Sequence, residues 1–364
     1  MSELLVSSFT PTVTGGAGLR TFGVAAALAQ HRPVELRYVI FGREEPSPEY
    51  GHVADLRLRP LRATRGIGRG LSYLRARVEG TPAALAKGVS PALVRAADDA
   101  PASTRVIADG PVVAAALLPL ARRRDVVYLA HNVESVFREE GPGLERFEKK
   151  VLRTFAESWM ATRADQQGAV ELVGDTVHTR YVPNVVDVRR IVPVEPAGEG
   201  AVLFVGDFTY PPNREALHFL SEQVLPIAWE RRAELRLLVV GRGLGDPPGD
   251  PRVQVLGFVE DLRSVYARAD AVVVPLLHGG GSPLKFIEAL AHGLPVIATA
   301  HSSRLLEDGR TGEDFLVAAD AREFATALER VLADSDLAAR LGAAGRRLAA
   351  RSYSIESLAS LLAG

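Results

Sequence analysis

Residues 275–299 combine the residue types that bind a phosphorylated ligand. Three consecutive glycines at 279–281 follow an apolar run and precede a segment of helical period. Glycine lets backbone N–H groups approach an anion closely, and the first turn of a helix carries a partial positive charge. Lys285 lies in that first turn, where a cation is unfavourable unless an anion lies nearby. We therefore predict a phosphate site here, although a solvated surface lysine would give the same pattern.

Glu288 lies one turn beyond Lys285 in an otherwise apolar helix. At this spacing the two side chains share one helix face and can form a weak surface ion pair. The functional alternative is a carboxylate that accepts two hydrogen bonds from a ribose diol. The residues alone leave both interpretations open.

The elements around this site alternate between short apolar runs and longer segments of helical period. This pattern predicts an α/β fold of two Rossmann-like doubly wound domains with parallel sheets. The strands are predicted at 3–9, 34–41, 105–108, 126–130, 201–207, 235–240, 271–275 and 295–299. The helices are predicted at 19–30, 112–122, 143–162, 213–231, 261–268 and 284–292.

The domain boundary is predicted from a Pro- and Gly-containing stretch without periodicity at 186–200. We assign an N-terminal domain to 1–190, a C-terminal domain to 191–345, and a last helix to 346–364 that crosses back to the first domain. Ligands bind at the carboxyl ends of parallel strands, so two such domains in tandem predict a site in an interdomain cleft.

Composition excludes several classes of function. The chain has 43 Lys and Arg against 44 Asp and Glu and contains no cysteine. The balanced charge argues against nucleic acid as a partner, and the absence of cysteine excludes thiolate metal sites and cysteine nucleophiles. The apolar stretch at 112–121 is shorter than the roughly 20 residues that span a bilayer. We expect a cytoplasmic protein, in line with an N-terminus that does not look like a signal peptide.

The segment GSPLKFIEALAHGLPVIAT (281–299) resembles the signature of the retaining family 4 glycosyltransferases (glycosyl transferases group 1), which have the GT-B fold. The turn is most similar to a branch with the pattern GGGS-x-LK. Further similar segments follow in the order and spacing of the family: 10–20, 181–187, 204–220, 235–243 and 255–276. Residues 45–100 are the main part outside the resemblance.

The resemblance implies that Glu288 holds the ribose of a nucleotide and that Lys285 opposes the charge of its diphosphate. The family places a glutamate that touches the donor sugar where this chain has Gly280. The turn residues implied to bind the donor are Gly280, Gly281, Ser282, Pro283 and Leu284.

Other matching positions extend this set on both domains. In the second domain, Gly206 and Arg214 match the phosphate-binding strand end, and the turn containing Phe258, between Gly257 and Val259, matches the one that meets the base. The lysine that the family has here is missing, and Arg214 is the nearest candidate cation. An exposed arginine at the start of a helix is the alternative interpretation.

In the first domain, Gly15 and Gly16 match a glycine turn near the donor phosphates, and His131 matches a histidine beside the transferred sugar. Glu134 is either its partner or a helix charge.

No metal site and no cofactor are predicted. Asp334 and Asp336 form an Asp-x-Asp pair, but their position between C-terminal helices favours a helix cap. The Gly-x-Gly at 241–243 lacks the dinucleotide-binding spacing, and Pro247 and Pro248 follow where a helix should start. NAD binding is therefore not expected.

The segment 57–95 is rich in arginine. In enzymes of this family the region shapes the acceptor side and can lie on an anionic membrane, which predicts a peripheral contact with the inner membrane face. A solvated arginine-rich face is the alternative.

The resulting prediction is a retaining, metal-independent glycosyltransferase with His131, Lys285 and Glu288 as catalytic residues. Its donor is a nucleotide sugar, with UDP preferred over GDP, and its acceptor is a polysaccharide, a glycolipid or a natural product. Two alternatives stay open: a nucleotide-sugar epimerase of the same architecture, and a non-catalytic nucleotide-binding scaffold.

Overall fold

The computed structural model describes residues 2–13, 15–40, 44–63, 67–132, 141–245, 249–279 and 284–363, with Gly141 and Pro142 described by their backbone alone. The described residues form two compact units. Unit 1 contains residues 2–185 and 355–363, and unit 2 contains 186–279 and 284–354.

The sheet of unit 1 has seven strands within the described ranges, in the order β3-β2-β1-β4-β5-β6-β7, and every pairing is parallel. The strands are β1 (Glu3–Ser7), β2 (Val34–Ile40), β3 (Leu56–Arg62), β4 (Arg105–Asp109), β5 (Val126–Leu129), β6 (Glu157–Met160) and β7 (Thr179–Tyr181). The crossover between β1 and β4 makes the sheet doubly wound, as predicted.

Both faces of this sheet are buried, which explains why its strands read as continuous apolar runs. Along β1, Leu4 and Val6 contribute to the core on one face, and Leu5 contributes to the core on the other. The helices that cover the two faces are α1 (Gly16–Ala29), α2 (Ile67–Val78), α3 (Ala83–Ala86), α4 (Pro91–Asp98), α5 (Gly110–Ala121), α6 (Gly141–Thr154) and α7 (Arg163–Val173), with a 3₁₀ turn at Pro48–His52.

Unit 2 contains a second parallel sheet, of six strands within its described residues, in the order β10-β9-β8-β11-β12-β13. The strands are β8 (Ala201–Val205), β9 (Arg236–Val240), β10 (Val253–Gly257), β11 (Ala271–Val274), β12 (Val296–Thr299) and β13 (Leu316–Ala318). The helices are α8 (Pro211–Phe219), α9 (Leu225–Arg231), α10 (Leu262–Tyr266), α11 (Leu284–His292), α12 (Ala300–Ser303), α13 (Ala321–Ala333) and α14 (Ser335–Ser352).

The last helix, α15 (Ile355–Ala363), belongs to unit 1. Its side chains Leu358 and Leu362 are buried in the core that also contains Val24 and Leu28 of α1. Tyr353 and Ser354 are not helical and separate α14 from α15. The predicted helix over 346–364 therefore corresponds to the end of α14 and to α15.

The predicted helix over 143–162 is wrong in its second half. The helix ends at Thr154, and Glu157–Met160 forms β6, paired with β5 on one side and β7 on the other. Trp159 and Met160 are fully buried. Burial between two strands therefore overrides the helical pattern that the preceding residues begin.

The predicted helix over 213–231 is also interrupted. A π-helical turn at Leu220–Val224 separates α8 from α9, and Pro226 lies in the first turn of α9. Proline lacks a backbone N–H, so the regular helical ladder cannot pass through this point unchanged.

Strand β3 was not predicted, because its sequence LRLRPLR was interpreted only as arginine-rich. Leucine and arginine alternate in it, and the strand lies at the edge of the sheet. Charged side chains and a proline are typical of edge strands, where they prevent pairing with another chain. Strands β7, β10 and β13 were not predicted either.

Candidate functional site

Helix α11 of unit 2 places Lys285 and Glu288 on one partly buried face. The other positions of its first two turns, among them Leu284 and Phe286, are buried in unit 2. Lys285 Nζ donates a hydrogen bond to Glu288 Oε2 over 2.7 Å. The side chains are 39% and 17% exposed, so the pair is accessible to a ligand. The first turn of α11 contains no acidic residue.

Glu288 interacts electrostatically with an aromatic stack that sequence analysis did not identify. The rings of Tyr266 and His292 lie 4.0 Å apart and almost parallel. Burial raises the pKa of Tyr266 well above its ordinary value, and the charge of Glu288 adds to this effect. Burial also lowers the pKa of His292, so both rings are neutral at pH 7. The direct ionic partner of Glu288 is therefore Lys285.

The chain that leaves β11 towards the glycine turn is held at Gly279. His301 Nε2 donates a hydrogen bond to the Gly279 carbonyl over 3.0 Å. Burial lowers the pKa of His301, with smaller contributions from nearby groups, so its ring is neutral at pH 7. The residue before Gly279 has a partner of its own, since His278 Nε2 lies 2.5 Å from Glu215 Oε2.

Four predicted donor-binding residues of the turn itself, Gly280, Gly281, Ser282 and Pro283, lie outside the described residues, as does Glu134. Leu284 is the first residue of α11, and its side chain is buried. Leu284 can therefore meet a ligand only through its backbone.

Two predicted donor-binding residues follow β8: Gly206 comes directly after the strand, and Arg214 lies in the first turn of α8. The Gly206 N–H donates to the Val240 carbonyl, which ties the end of β8 to β9. Arg214 Nη1 donates to the carbonyls of Phe208 and Thr209, at 2.6 and 3.1 Å. Arg214 was predicted to bind phosphate. Its Nη1 instead donates to backbone carbonyls and so stabilises the loop after β8.

Asp207 follows Gly206 and pairs with Arg242, an interaction that the sequence did not reveal. Arg242 Nε and Nη2 lie 2.9 and 2.8 Å from Asp207 Oδ2. Desolvation alone would raise the pKa of Asp207, but hydrogen bonds from Thr209 and Arg242 hold it below its ordinary value. The carboxylate is ionised at neutral pH and fixes the loop after β8.

Phe258 follows β10 and is 66% exposed, an unusual degree for a phenylalanine. It comes directly after Gly257, whose carbonyl accepts the N–H of Gly241. An exposed ring at the end of a parallel strand provides a flat surface on which a nucleobase can stack.

In unit 1, His131 is held by a buried aspartate. His131 Nε2 lies 2.8 Å from Asp109 Oδ1, and Thr21 Oγ1 donates to the other carboxylate oxygen over 2.8 Å. Asp109 is fully buried, whereas the His131 side chain is 16% exposed. Gly110 has a φ of +79°, and a Cβ there would lie 3.3 Å from His131 Cε1. Glycine therefore lets the imidazole pack closely at this position.

Arg20 fixes the backbone next to His131, and nothing in its sequence context indicated this role. It is 2% exposed and donates to the carbonyls of Ala130, Trp159 and Val182 and to Asn184 Oδ1. Burial lowers its pKa to about 10, so it remains charged at neutral pH. The guanidinium joins the carboxyl ends of β5, β6 and β7.

The predicted glycines of unit 1 lie at the start of α1. Gly15, with a φ of +141°, precedes the helix, and Gly16 is its first residue. No described atom outside their chain neighbours lies within 4 Å of a Cβ built on either glycine, so the turn has open space beside it. By contrast, a Cβ on Gly18 would lie 2.2 Å from the Thr12 carbonyl oxygen.

The predicted residues that the structure describes are divided between the two units. Unit 2 contains Lys285 and Glu288 on α11, Arg214 on α8, and Gly206 and Phe258 directly after β8 and β10. Unit 1 contains His131, Gly15 and Gly16. Over the described residues, no group of three or more His, Asp or Glu could hold a metal ion. Asp334 caps α14 by accepting the Leu337 N–H, which confirms the predicted cap.

Residues 199–334, which include these five residues of unit 2, match the family described as glycosyl transferases group 1. This part of the chain is therefore similar to a glycosyl transferases group 1 domain. Its identification from the turn and the Lys-x-x-Glu helix is therefore confirmed, while the branch with the GGGS turn stays a prediction.

Two curated relatives are similar over part of the chain. The lipopolysaccharide core biosynthesis glycosyltransferase LpsE of Rhizobium meliloti is 28% identical over 198 residues, which are 49% of this chain and 55% of LpsE. The phosphatidyl-myo-inositol mannosyltransferase of Mycobacterium leprae is 32% identical over 169 residues, 44% of each chain. The chain thus spans about half the length of these relatives.

The fold is similar over nearly the full length to solved structures. HepE of Anabaena, in complex with UDP and glucose, has a TM-score of 0.73 and 14% identity, with 99% of this chain and 98% of HepE covered. This similarity confirms the predicted fold class, two Rossmann-like sheets of the GT-B type. The structure contains no helix, among those it describes, that is long and apolar enough to cross a membrane.

Proposed function

We propose that this protein transfers a sugar from a UDP-sugar to an acceptor hydroxyl, with retention of configuration and without a metal ion. The observation that carries the proposal is the Lys285–Glu288 pair, exposed on the first turns of α11 in a group 1 domain. The solved structure of HepE, which shares the fold, contains UDP and glucose. The two curated relatives are both glycosyltransferases.

Lys285 is proposed to oppose the charge of the leaving diphosphate. Its ammonium group is fixed by Glu288 at the positive end of α11, so the lysine and the helix dipole act on the same anion. Charges that are already in place when the diphosphate departs lower the barrier without reorganisation. This arrangement could supply the stabilisation that a metal ion gives in other enzymes.

Glu288 is proposed to bind the nucleoside. One carboxylate oxygen accepts from Lys285, which leaves Oε1 to accept from a ribose hydroxyl. Phe258, with its exposed ring, is the proposed platform for the uracil base. We assign a supporting role to Arg214, because its Nη1 is used by two backbone carbonyls.

His131 is proposed to act at the sugar end of the donor. Its Nε2 faces the Asp109 carboxylate, so the proton on that nitrogen is fixed and Nδ1 is left to meet a substrate hydroxyl. An aspartate side chain at this distance also favours positive charge on the imidazole. His131 can therefore orient the sugar or stabilise the charge that develops as the glycosidic bond breaks.

The acceptor is proposed to be amphiphilic, at the glycolipid end of the predicted range. The names of two relatives describe lipopolysaccharide core and phosphatidylinositol as the molecules they act on. A contact of segment 57–95 with the membrane surface is part of this proposal. Polysaccharide and natural-product acceptors remain predictions of the sequence.

The proposal can be tested without knowing the acceptor, because glycosyltransferases can transfer slowly to water. UDP-glucose and GDP-mannose are incubated separately with the protein in EDTA, and ¹H NMR follows the first turnover. We expect release of UDP, with the free sugar appearing first as the α anomer. Release of the β anomer contradicts retention, and consumption of GDP-mannose alone contradicts the UDP assignment. Conversion of the sugar while it is still bound to UDP identifies an epimerase.

A further inference from the structure

A cavity of about 730 Å³ lies in unit 2, between helix α14 and the loop that leads into β13. Residues between 308 and 314 of the loop and between 340 and 352 of the chain line it. None of the described residues that are proposed to bind the donor is among them. The loop enters the amino end of β13, whereas the ligands of parallel sheets bind at the carboxyl ends of the strands. The cavity is therefore separate from the candidate nucleotide site.

Three arginines of α14 line the cavity from one side. Arg340, Arg347 and Arg351 follow one another at intervals of seven and four residues. At about 100° per residue they lie within about 40° of one another on the helix. All three are exposed, and none has a hydrogen bond or an ion pair with a described residue. The fold therefore does not use these guanidinium groups.

Another arginine of the same helix shows what a structural arginine does here. Arg346 lies on a different face and donates to the backbone carbonyls of Ala291 and Ile191. The only acidic residue of α14 is Asp336, in its first turn, and it does not line the cavity. The positive charge along the cavity is therefore not neutralised from within the helix.

The loop on the other side contributes three carboxylates with different roles. Glu313 Oε2 lies 3.3 Å from Arg310 Nη1, so these two charges compensate each other. Asp314 is buried, and its Oδ2 accepts the Arg310 N–H over 3.0 Å, which closes the loop. The carboxylate of Asp308 has no hydrogen bond or ion pair with a described residue. The loop thus offers one unpaired carboxylate opposite three unpaired guanidinium groups.

Close packing fixes both walls of the cavity. Gly312 has a φ of +82°, which favours glycine, and its N–H donates to the Phe315 carbonyl over 2.7 Å. On α14, a Cβ on Gly345 would lie 3.1 Å from the Asp314 carbonyl oxygen and 2.6 Å from Leu290 Cδ2. The helix and the loop therefore keep their spacing, as the walls of preformed small-molecule sites do.

The spacing of the arginines indicates a ligand with two anionic groups. At 1.5 Å per residue, Arg347 and Arg351 lie about 6 Å apart along the helix axis, close enough to bind one phosphate together. Arg340 lies about 10 Å further along the axis and can pair with a second anionic group. Asp308 repels a further negative charge but accepts a hydrogen bond from a hydroxyl. These contacts fit a polyol that carries two phosphates.

We propose that this cavity binds a sugar bisphosphate, with one phosphate held by Arg347 and Arg351, the other by Arg340, and a hydroxyl group by Asp308. The volume of about 730 Å³ lies within the range of sites for small molecules. The inference concerns unit 2 alone and requires neither glycosyl transfer nor nucleotide binding.

The test is calorimetric titration of the full chain in EDTA at constant ionic strength, with fructose 1,6-bisphosphate as the probe. Fructose 6-phosphate and pyrophosphate are titrated for comparison. The bisphosphate should bind at least about tenfold more tightly than either, because each lacks part of the proposed contacts. Fructose 6-phosphate has no second phosphate for Arg340, and pyrophosphate has no hydroxyl groups for Asp308.

Two variants separate the two phosphate contacts. Arg347→Gln/Arg351→Gln should bind the bisphosphate at least about tenfold more weakly than the wild type does, because it removes both charges at one phosphate. Arg340→Gln should bind the bisphosphate only as tightly as the wild type binds fructose 6-phosphate. Its affinity for fructose 6-phosphate itself should be unchanged.

The matched control is Arg322→Gln/Arg330→Gln, which removes two exposed arginines of α13 that do not line the cavity. It changes the net charge as the double variant of α14 does and should bind the bisphosphate as the wild type does. Equal unfolding midpoints show that all variants keep the fold. Addition of UDP should leave the affinity for the bisphosphate unchanged, which separates this site from the proposed nucleotide site.

Four results overturn the inference. They are no binding of the bisphosphate, wild-type binding by Arg347→Gln/Arg351→Gln, an equal loss in the α13 control, and competition by UDP. An equal loss in the control would show attraction to net charge alone, and competition would assign the bisphosphate to the nucleotide site. Equal affinity for pyrophosphate would contradict the assignment of a polyol.

Discussion

Replacing Asp109 by asparagine tests whether His131 works as an oriented group. The carboxylate is fully buried and holds two donors at once, His131 Nε2 on Oδ1 and Thr21 Oγ1 on Oδ2, each over 2.8 Å. Asparagine has the same shape but only one oxygen, so one of the two donors must face an NH₂ group. Either the imidazole turns or changes tautomer, or the threonine loses its partner.

The expected loss follows from the strength of this contact. A hydrogen bond to a charged group contributes about 1.5–3 kcal/mol. If the whole of this energy orients His131 in the transition state, kcat for UDP-sugar turnover falls about 10- to 150-fold. The Kd of UDP should stay within about twofold, because the proposed nucleotide contacts lie in unit 2. Steady-state kinetics and calorimetric titration with UDP measure the two quantities.

Thr21→Val provides the matched control, because it removes the other hydrogen bond of Asp109 and leaves the contact with His131. Both variants should lose some thermal stability, since each leaves a buried polar group without a partner. Only Asp109→Asn should lose most of its turnover. If both variants lose turnover equally, Asp109 supports the fold and does not position His131.

The other predictions concern unit 2. Glu288→Ala should weaken UDP binding by about 1–3 kcal/mol in calorimetry, because it removes the proposed partner of the ribose, and an unchanged Kd would exclude that role. Gly241→Ala should lower the unfolding midpoint strongly, because its Cβ would lie 1.6 Å from the Gly206 carbonyl oxygen, and a wild-type midpoint in thermal melts would contradict this geometry. His292 has a pKa below its ordinary value of 6.5 in the folded protein, so the unfolded state takes up the proton first and the wild type should lose stability as the pH falls through 6.5. His292→Phe keeps the stack on Tyr266 and should lose less stability between pH 7 and pH 5.5, and an identical pH dependence in chemical denaturation would contradict this assignment.

Much of the fold was predictable because its strands are buried on both faces. Runs such as AVLFV and AVVV are then apolar throughout and stand out from the helices between them. The same rule explains the strands that were missed. Strand β3 lies at the edge of its sheet and alternates leucine with arginine. Strand β6 comes shortly after a long helix, and its first two residues, Glu157 and Ser158, are charged and polar.

The candidate site residues of the two units differ in how clearly the sequence identifies them. The spacing of Lys285 and Glu288 places them on one helix face. In the structure Lys285 Nζ lies 2.7 Å from Glu288 Oε2. Asp109 could have been found from its position, since it ends a buried strand just before a Gly-Pro helix start. Arg20 could not, because its partners lie 110 to 164 residues away in the chain and three of the four are backbone carbonyls.

The large apolar residues of α2, which are exposed in the structure, show a further limit of sequence reasoning. The spacing of Ile67, Leu71, Leu74 and Val78 predicts an amphipathic helix, whose apolar face would normally be assigned to the core. Only the structure shows that the core takes the opposite face, with Ala76.

The most direct test of the central claim is a calorimetric titration of UDP into the wild type and into Lys285→Met, both in EDTA. The account predicts that the wild type binds UDP without metal and that Lys285→Met binds it about 10- to 150-fold more weakly, as expected for loss of a charge-assisted contact. Arg340→Gln, which removes a distant cation of unit 2, should bind as the wild type does. Equal affinity of the wild type and Lys285→Met, or no binding by the wild type, would contradict the assignment of α11 as the nucleotide site.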